Sequence, residues 1–353
     1  MNKLILSLFL MIALLSSVSL SAQKYFNIHR PMVLPDKSQE ALVKQSIGYT
    51  DITISYHSPG ARGRKVWGGL VPLGQVWRAG ANENTLFTIS HDADLQGQKL
   101  PAGTYGLHLL PEKDSWTFVF SKNHTSWGSY FYDDSEDVLR ISVAVETAPE
   151  FREWMSYEFH NRDRGEASVM LSWGDKRAGF NIKLDIDKIA LENIRLQLRS
   201  DAYWEWFSWC QAAAYCAEYE INTEEALEWI DRSIAMQENF SNWDVKADLL
   251  NQKGDKIGAQ KAINRAIEVG TPVYVERYAR RFLGSKNYRK AVEIFDKALE
   301  KDPTYWRALM NKGRAMEAMD KKKEALKAYE LALQSAPDNS KKQITIRIDN
   351  LKR

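Results

Sequence analysis

A fixed 34-residue spacing near the end of the chain constrains its fold more than any other feature. Two successive segments repeat the order small residue, aromatic residue, small residue, proline: Ala291, Phe295, Ala298 and Pro303, then Ala325, Tyr329, Ala332 and Pro337. Ala279 and Gly313 share the same offset. Small side chains let two helices approach closely, and the aromatic ring fills the space between them. The spacing therefore predicts stacked pairs of helices.

This pattern resembles the tetratricopeptide repeat. The copies, two degenerate and two well matched, cover 207–238, 240–271, 272–305 and 306–339. Ile344 and Ile348 lie at helical spacing and predict a capping helix over 340–352. We expect 201–353 to be an all-α, tetratricopeptide-like solenoid, with 188–200 as a linker or helix before it.

Upstream of residue 187 the sequence has the period of a β-strand instead. Ile52, Ile54 and Tyr56 alternate with polar residues, as in a strand with one buried face. Further candidate strands are Thr85–His91, Thr104–Leu110, Trp116–Lys122, Val138–Val145, Trp154–His160, Glu166–Trp173 and Arg177–Asp185. Short strands with tight connections predict an all-β antiparallel sandwich or barrel-like domain over 23–187. The expected fold is therefore a mixed, two-domain one.

The N-terminus has the pattern of a signal peptide over 1–22. Lys3 precedes an apolar run, Leu4–Leu15, and small residues follow it. We predict cleavage after Ala22, with Ser21 as the alternative. The run is shorter than the about 20 residues that span a bilayer, and no later stretch is apolar enough, so we expect no transmembrane segment in the mature chain. The predicted location is periplasmic or associated with the cell envelope.

The stretch 58–84 holds an unusual concentration of glycine, arginine and tryptophan. The candidate ligand-binding residues in it are Arg64, Trp67, Trp77, Arg78, Asn82 and Glu83. One interpretation is a loop-built pocket, in which tryptophan faces stack on a sugar or ring and arginines hold a carboxylate or phosphate. The other is a structural crossover between strands, pinned to the sandwich by its two tryptophans. The sequence leaves both interpretations open.

Blocks of residues in and after this stretch carry a family resemblance. They are Ser58-Pro59, Gly63-Arg64, Gly68-Gly69-Leu70-Val71-Pro72, Val76-Trp77-Arg78, Gly80-Ala81-Asn82-Glu83, Leu100-Pro101-Ala102-Gly103-Thr104-Tyr105, Trp116-Thr117 and Trp127-Gly128. Over about residues 25–185 the chain resembles an exported bacterial family catalogued as domain of unknown function 2911. Leu73 departs from the family, which often has an aromatic residue there. The resemblance implies a periplasmic or envelope setting in a Gram-negative bacterium, and it implies no activity.

No catalytic motif is recognisable in the chain. It has no Gly-x-Ser-x-Gly elbow, no phosphate-binding glycine loop and no closely spaced pair of histidine ligands, so we predict no metal and no cofactor. The balance of 48 basic and 46 acidic residues argues against a nucleic-acid partner. His57 and His108, near 58–84, are interpreted as structural, with a metal ligand or a base as the alternative. The acidic run from Asp133 to Asp137 is interpreted as a solvated loop, with oxygen ligation of a hard cation as the alternative.

A second candidate surface lies in the repeats. In the tetratricopeptide register, the first helix of each repeat lines the concave face, which carries the candidate partner-binding residues Glu276, Arg280, Arg307, Met310 and Arg314. Arginines there suit an acidic peptide or a terminal carboxylate; the alternative is an ordinary solvated face. Aromatic residues cluster before the first repeat, and we expect them to dock the β-domain or a partner: Tyr203, Trp204, Trp206, Phe207 and Trp209.

Two functions follow from these patterns. The first is a non-enzymatic envelope protein whose repeats are a protein-interaction scaffold and whose β-domain binds a glycan, peptide or small anion. The second is a cell-wall or polysaccharide-acting enzyme, with Glu83 or a nearby histidine as general acid or base and with Arg64 and Arg78 stabilising negative charge. The absence of a catalytic motif favours the first.

Overall fold

The computed structural model describes residues 35–353, and the chain divides into two compact units, Met1–Ile186 and Asp187–Arg353. The division lies where the sequence changes from the strand period to the helix period. The predicted signal segment, 1–22, lies outside the described residues.

The first unit is an antiparallel β structure, as predicted. Its strands are β1 (Gln39–Ile47), β2 (Thr50–Ser58), β3 (Ala81–Ile89), β4 (Ala93–Leu95), β5 (Gln98–Leu100), β6 (Gly103–Pro111), β7 (Ser115–Ser121), β8 (Asp137–Ala144), β9 (Glu146–His160) and β10 (Glu166–Lys183). They form a six-stranded sheet in the order β1-β2-β3-β6-β7-β8 and a four-stranded sheet in the order β5-β4-β10-β9. Neighbouring strands pair antiparallel throughout.

The two sheets pack face to face around aromatic rings. Phe180 on β10 lies 6.1 Å from Phe87 on β3 and 5.5 Å from Phe120 on β7, between ring centroids. Ile52 and Ile54 on β2, predicted as a buried face, have no exposed surface. Burying each such side chain stabilises the fold by roughly 1.5–3 kcal/mol, so this face holds the sandwich together.

The strand predictions are wrong in several places. The short strands β4 and β5 and the first half of β9 were not predicted, and two further differences have clear physical causes. Glu166–Trp173 and Arg177–Asp185 belong to one strand, β10, because Gly174 (φ +61°) forms a bulge there and not a turn. The pairing register with β9 shifts on both sides of it. β1 was not predicted, because as the outermost strand it leaves most of its residues exposed or half-exposed and lacks a buried face.

The second unit is an all-α solenoid, which confirms the predicted fold class. Its helices are α1 (Ile186–Gln197, starting at the unit boundary), α2 (Trp206–Tyr219), α3 (Thr223–Met236), α4 (Phe240–Gln252), α5 (Lys256–Val269), α6 (Pro272–Gly284), α7 (Tyr288–Lys301), α8 (Trp306–Ala318), α9 (Lys322–Ser335) and α10 (Asp338–Lys352). The four repeats are the consecutive pairs from α2–α3 to α8–α9. Within residues 35–353, none of the helices is both long and apolar enough to span a membrane.

The repeating residues pack as their types predict. The small ones have no exposed surface: Ala279, Ala291, Ala298, Ala325 and Ala332. A Cβ atom on Gly313 would lie 2.6 Å from the ring of Tyr329, which is fully buried, so this position of α8 requires glycine. The Tyr329 hydroxyl donates to Glu317 Oε2 at 2.6 Å, which satisfies its polar group.

Candidate functional site

The crossover between β2 and β3, residues 59–80, packs on the sandwich through tryptophans. Trp67 Nε1 donates to the carbonyl of Trp173 at 2.9 Å, and the Trp67 ring lies 4.1 Å from that of Trp116. Trp77 stacks on Trp173 at 5.7 Å and an angle of 21°. The rings of Trp67 and Trp77 thus contact other protein rings, and Trp67 borders a cleft of about 490 Å³.

The Arg64 guanidinium donates hydrogen bonds to the backbone of the crossover itself. Its Nε and Nη2 atoms donate to the carbonyls of Ala61 and Gly60 at 3.0 and 2.9 Å. Because these bonds stabilise the loop backbone, two of the donors that a carboxylate or phosphate would use are already occupied.

The end of the crossover is a strained turn. Ala79 and Asn82 have φ angles of +50° and +57°, in the left-handed region that non-glycine residues rarely adopt. Thr85 Oγ1 and Tyr157 Oη both donate to the carbonyl of Ala79, at 3.1 and 2.9 Å. These two bonds hold the turn in its conformation and place Arg78 at the start of β3.

Beyond this turn, polar side chains gather on the face of the six-stranded sheet that points away from the core. Asn84 Nδ2 on β3 lies 3.5 Å from His108 Nε2 on β6 and 3.3 Å from the carbonyl of Gly128. Residues 122–136, between β7 and β8, cover these side chains. A Cβ on Gly106 would lie 2.2 Å from the carbonyl oxygen of Asn123, so this glycine is what lets the segment approach the sheet.

His108 is neutral near neutral pH. It is 2 % exposed, and burial lowers its pKa to about 4, while the Asp137 charge opposes that shift. Asn84 donates to Nε2, so the proton resides on Nδ1, 3.1 Å from Ser129 Oγ. A base with so low a pKa is weak at neutral pH, and His108 here joins β6 to the covering segment.

Several buried polar atoms in this region lack a hydrogen-bond partner among the described residues. Within residues 35–353, the buried atoms Arg78 Nε, Asn82 Nδ2, Asn84 Oδ1 and Asp137 Oδ1 have no hydrogen-bond partner. Such an atom costs about 1–3 kcal/mol. Arg78 forms no hydrogen bond and no ion pair with any described residue, and burial lowers the pKa of its guanidinium.

Exposed aromatic rings lie beside Arg78. Trp127 and Tyr130 are 51 % and 77 % exposed, and their rings are parallel at 5.8 Å. The guanidinium carbon of Arg78 lies 5.3 Å from the Trp127 ring centroid, a cation–π contact. Glu83 is 62 % exposed, and its Oε2 lies 3.4 Å from His57 Nδ1. We call this group the Arg78 site: Arg78, Asn82, Glu83, Asn84, Trp127 and Tyr130.

The structure thus brings Arg78, Asn82 and Glu83 together and leaves Arg64 and the two crossover tryptophans elsewhere. Sequence reasoning missed the part of the site formed by Asn84, Trp127 and Tyr130. One signal was present, because Trp127-Gly128 is a block of the family resemblance.

The prediction that the acidic run is simply a solvated loop is wrong for Asp137. Its Oδ2 accepts from the Tyr132 hydroxyl at 2.7 Å and from Arg140 Nε at 2.6 Å. Burial, then the bond to Asp137, raises the pKa of Tyr132 to about 12. Nowhere in the described part of the chain do three His, Cys, Asp or Glu side chains come together as a metal site requires.

The candidate residues on the repeats meet across α6 and α8. Glu276, 2 % exposed, accepts from Arg280 Nε at 3.1 Å and from Asn311 Nδ2 at 2.8 Å. Arg314 Nη1 donates to Asn311 Oδ1 at 3.1 Å. Burial raises the pKa of Glu276, and the charges of Arg280 and Arg307 oppose that shift. We call Glu276, Arg280, Arg307, Asn311 and Arg314 the repeat arginine cluster.

The remaining candidates on the helical unit have other surroundings. Met310 is partly buried against the core that contains Leu309 and Tyr329. Of the aromatic residues predicted to dock a partner or the β-domain, Tyr203, Trp204 and Trp209 border a cleft of about 690 Å³, with Trp209 buried and Trp204 76 % exposed. That they dock a partner or the β-domain stays a prediction.

Comparison with known proteins confirms both sequence resemblances and their order. Residues 38–182 match the family described as "Protein of unknown function (DUF2911)", and residues 282–343 match the tetratricopeptide repeat. No curated protein matches the chain.

Similar solved structures are remote. MamA is 17 % identical, with 41 % of this chain and 86 % of that one covered, at a TM-score of 0.29. Pseudomonas aeruginosa pilF is 16 % identical, with 41 % and 67 % covered, at 0.29. The second TPR domain of human RPAP3, in complex with an HSP70 peptide, is 21 % identical, with 31 % and 92 % covered, at 0.25. These likenesses transfer no partner to this chain.

Proposed function

We propose that this is an exported, non-enzymatic protein of the cell envelope, in which the repeats hold a protein partner and the β-domain binds a glycan, peptide or small anion. The repeat match and the solenoid of α2–α9 support a protein-interaction scaffold, because stacked repeats present a continuous concave surface. The signal-peptide pattern and the family resemblance support export.

The repeat arginine cluster carries the partner role. Arg280 pairs with the one buried carboxylate, Glu276, the charge of Arg307 also acts on it, and Arg314 bonds to the neighbouring Asn311, so the cluster has an excess of positive charge. Bonds between arginine and carboxylate are charge-assisted and often forked. An acidic peptide, or a terminal carboxylate, supplies the missing negative charge.

Charge reversal on α8 tests this role. In the full chain, Arg307→Glu with Arg314→Glu should weaken binding of a synthetic acidic peptide by at least about tenfold, or about 1.4 kcal/mol, measured by fluorescence anisotropy. Arg289→Glu changes an exposed arginine on α7 and is the matched control, expected to bind as the unmodified chain does. Circular dichroism verifies that each variant is folded. Equal binding by the double variant, or no binding by the unmodified chain, contradicts the proposal.

Export is tested by processing. Expressed in a Gram-negative host and fractionated, the chain should appear outside the cytoplasm with Gln23 at its N-terminus, or Ala22 if cleavage follows Ser21. Removal of residues 2–22 should retain it in the cytoplasm. An unprocessed chain in the cytoplasmic fraction would count against export.

An enzyme acting on polysaccharide is the second candidate, and one observation favours it. Glu83 and His57 lie 3.4 Å apart on neighbouring strands, beside the unpaired Arg78. If Glu83 is a general acid or base, the unmodified chain releases reducing ends from envelope polysaccharide, and Glu83→Gln abolishes that release while remaining folded. No release by the unmodified chain eliminates the enzyme.

A further inference from the structure

We propose that the Arg78 site binds an acidic sugar, that is, a sugar ring that carries a carboxylate. The inference names a ligand class for the β-domain and rests on its proposed binding role. Three properties of the site lead to it: a cation without a hydrogen bond or an ion pair to a described residue, exposed aromatic rings, and polar atoms that lack partners among those residues.

The cation requires an anion. Arg78 is half-buried and without a hydrogen bond or ion pair to any residue in 35–353, and its nearest charged neighbour, Glu83, is exposed and lies beside His57. Desolvating a charge is costly unless a partner balances it. One guanidinium balances the single charge of a carboxylate, whereas a phosphate group brings about −1.5 to −2 and needs more cations. The site therefore fits a carboxylate.

The aromatic platform requires a flat apolar face. Trp127 and Tyr130 stack on each other at 5.8 Å, and both side chains stay largely exposed to solvent beside the Arg78 guanidinium. The C–H face of a sugar ring covers such a surface. An extended peptide would instead pair with a sheet edge, but Glu83 lies on β3, and Arg78 just before it, in the interior of the sheet whose outer strands are β1 and β8.

The floor of the site is incompletely satisfied. Asn82 Nδ2 lacks an acceptor, and Asn84 Oδ1 lacks a donor. A hydroxyl group both donates and accepts, so a sugar offers partners to both kinds of atom, and Glu83 offers a further acceptor at the surface. Asn84 also holds the covering segment in place, through a 3.3 Å bond to the Gly128 carbonyl.

The experiment compares a galacturonic-acid trisaccharide with its methyl ester, which has the same rings and no charge. Binding to the full chain is measured by calorimetry and by the change in tryptophan fluorescence that is lost in Trp127→Ala. We expect the acid to bind at least about tenfold more tightly than the ester. Arg78→Gln should abolish that preference, and Trp127→Ala should weaken both ligands. The matched control is Arg62→Gln, because Arg62 also lies over a tryptophan, 5.8 Å from the Trp154 centroid, outside the site.

Each outcome of this experiment either supports the proposal or overturns it. Equal affinity for acid and ester overturns the acidic class and leaves a neutral glycan as the ligand of the β-domain. Tighter binding of inorganic phosphate or of an acidic peptide than of the uronate also overturns it. So does an Arg62→Gln variant that loses the preference for the acid over the ester as fully as Arg78→Gln does. If neither sugar binds at millimolar concentration, the inference fails, while the peptide test on the repeats remains independent. Thermal unfolding of Arg78→Gln near that of the unmodified chain distinguishes binding from folding.

Discussion

The two units differ in whether their buried polar groups have hydrogen-bond partners. In the repeats, Glu276 and Asn311 are 2 % and 4 % exposed and bond to each other and to neighbouring arginines. At the Arg78 site, Arg78, Asn82 and Asn84 each keep a buried atom without a partner among the described residues. Single atoms of this kind also occur in the helical unit, on Arg232 and Tyr305, in separate repeats. A satisfied network stabilises a fold, whereas a group of unsatisfied atoms costs stability and requires an explanation, which the proposed ligand supplies.

Acid should weaken the β-domain more than the repeats, and this is the largest effect we expect. His108 has a pKa of about 4 in the folded state and 6.5 when unfolded. Between these values the unfolded chain binds more protons, so stability falls as pH decreases from 6.5 to 4, by on the order of 3 kcal/mol in full. Denaturant unfolding at a series of pH values, followed by tryptophan fluorescence, measures this loss.

His108→Gln is the control, because it removes the titrating group and should flatten the pH dependence over that range. Glu276 has the opposite sign. Burial raises its pKa, so the folded repeats hold the proton more readily, and this group's contribution to stability rises as pH falls. If the slope persists in His108→Gln, the buried histidine is not its source.

Substituting one charged residue in each unit should change the unfolding free energy by different amounts. Glu276→Ala leaves Asn311 and Arg280 without their acceptor and should cost about 2 kcal/mol of unfolding free energy. Arg78→Gln breaks no hydrogen bond to a described residue and loses only the cation–π contact with Trp127, so it should cost at most about 1 kcal/mol. Chemical denaturation measures both. A cost at Arg78 equal to that at Glu276 would mean that Arg78 is structural.

The sequence predicts a region well when the residues that contact each other lie close together along the chain, and poorly when they lie far apart. Gly313 and Tyr329 are close in sequence, in one repeat, and their contact recurs at a fixed spacing, so a single pass along the chain finds it. Trp127 meets Arg78 only because β3, β6 and β7 pair and place the segment 122–136 over them. No local period encodes that meeting. The unpaired state of Arg78 is likewise a property of three-dimensional packing.

The same limit explains the crossover tryptophans. Trp67 and Trp77 have the residue type of a ligand platform, and sequence alone cannot distinguish that from packing. In the structure, Trp116 on β7 contacts Trp67, and Trp173 on β10 contacts both Trp67 and Trp77, so both crossover rings pack on the sandwich. Arg78, Asn82 and Glu83 lie together at the Arg78 site, and that any of these residues binds a ligand stays a prediction.

The smallest expected effect concerns strain at the turn before β3. Ala79 has φ +50° and no exposed surface, so Ala79→Gly relieves about 1 kcal/mol of strain and loses about as much from the buried methyl group. Its stability should stay within about 0.5 kcal/mol of the unmodified chain. Gln96→Gly, at φ +54° in the exposed turn after β4, loses no buried group and should gain about 0.5 kcal/mol.

Affinity for the uronate is the measurement that tests whether the strained turn contributes to the site. Thr85 and Tyr157 hold the Ala79 carbonyl, and through it the backbone that carries Arg78. If the strain positions Arg78 for a ligand, Ala79→Gly loses uronate affinity although its stability is unchanged, and Gln96→Gly keeps that affinity although it is more stable. Calorimetry with the same trisaccharide measures both. Unchanged affinity in Ala79→Gly would show that the strained turn plays no part in the site, and the proposal would then rest on Arg78, Trp127 and the unsatisfied amides alone.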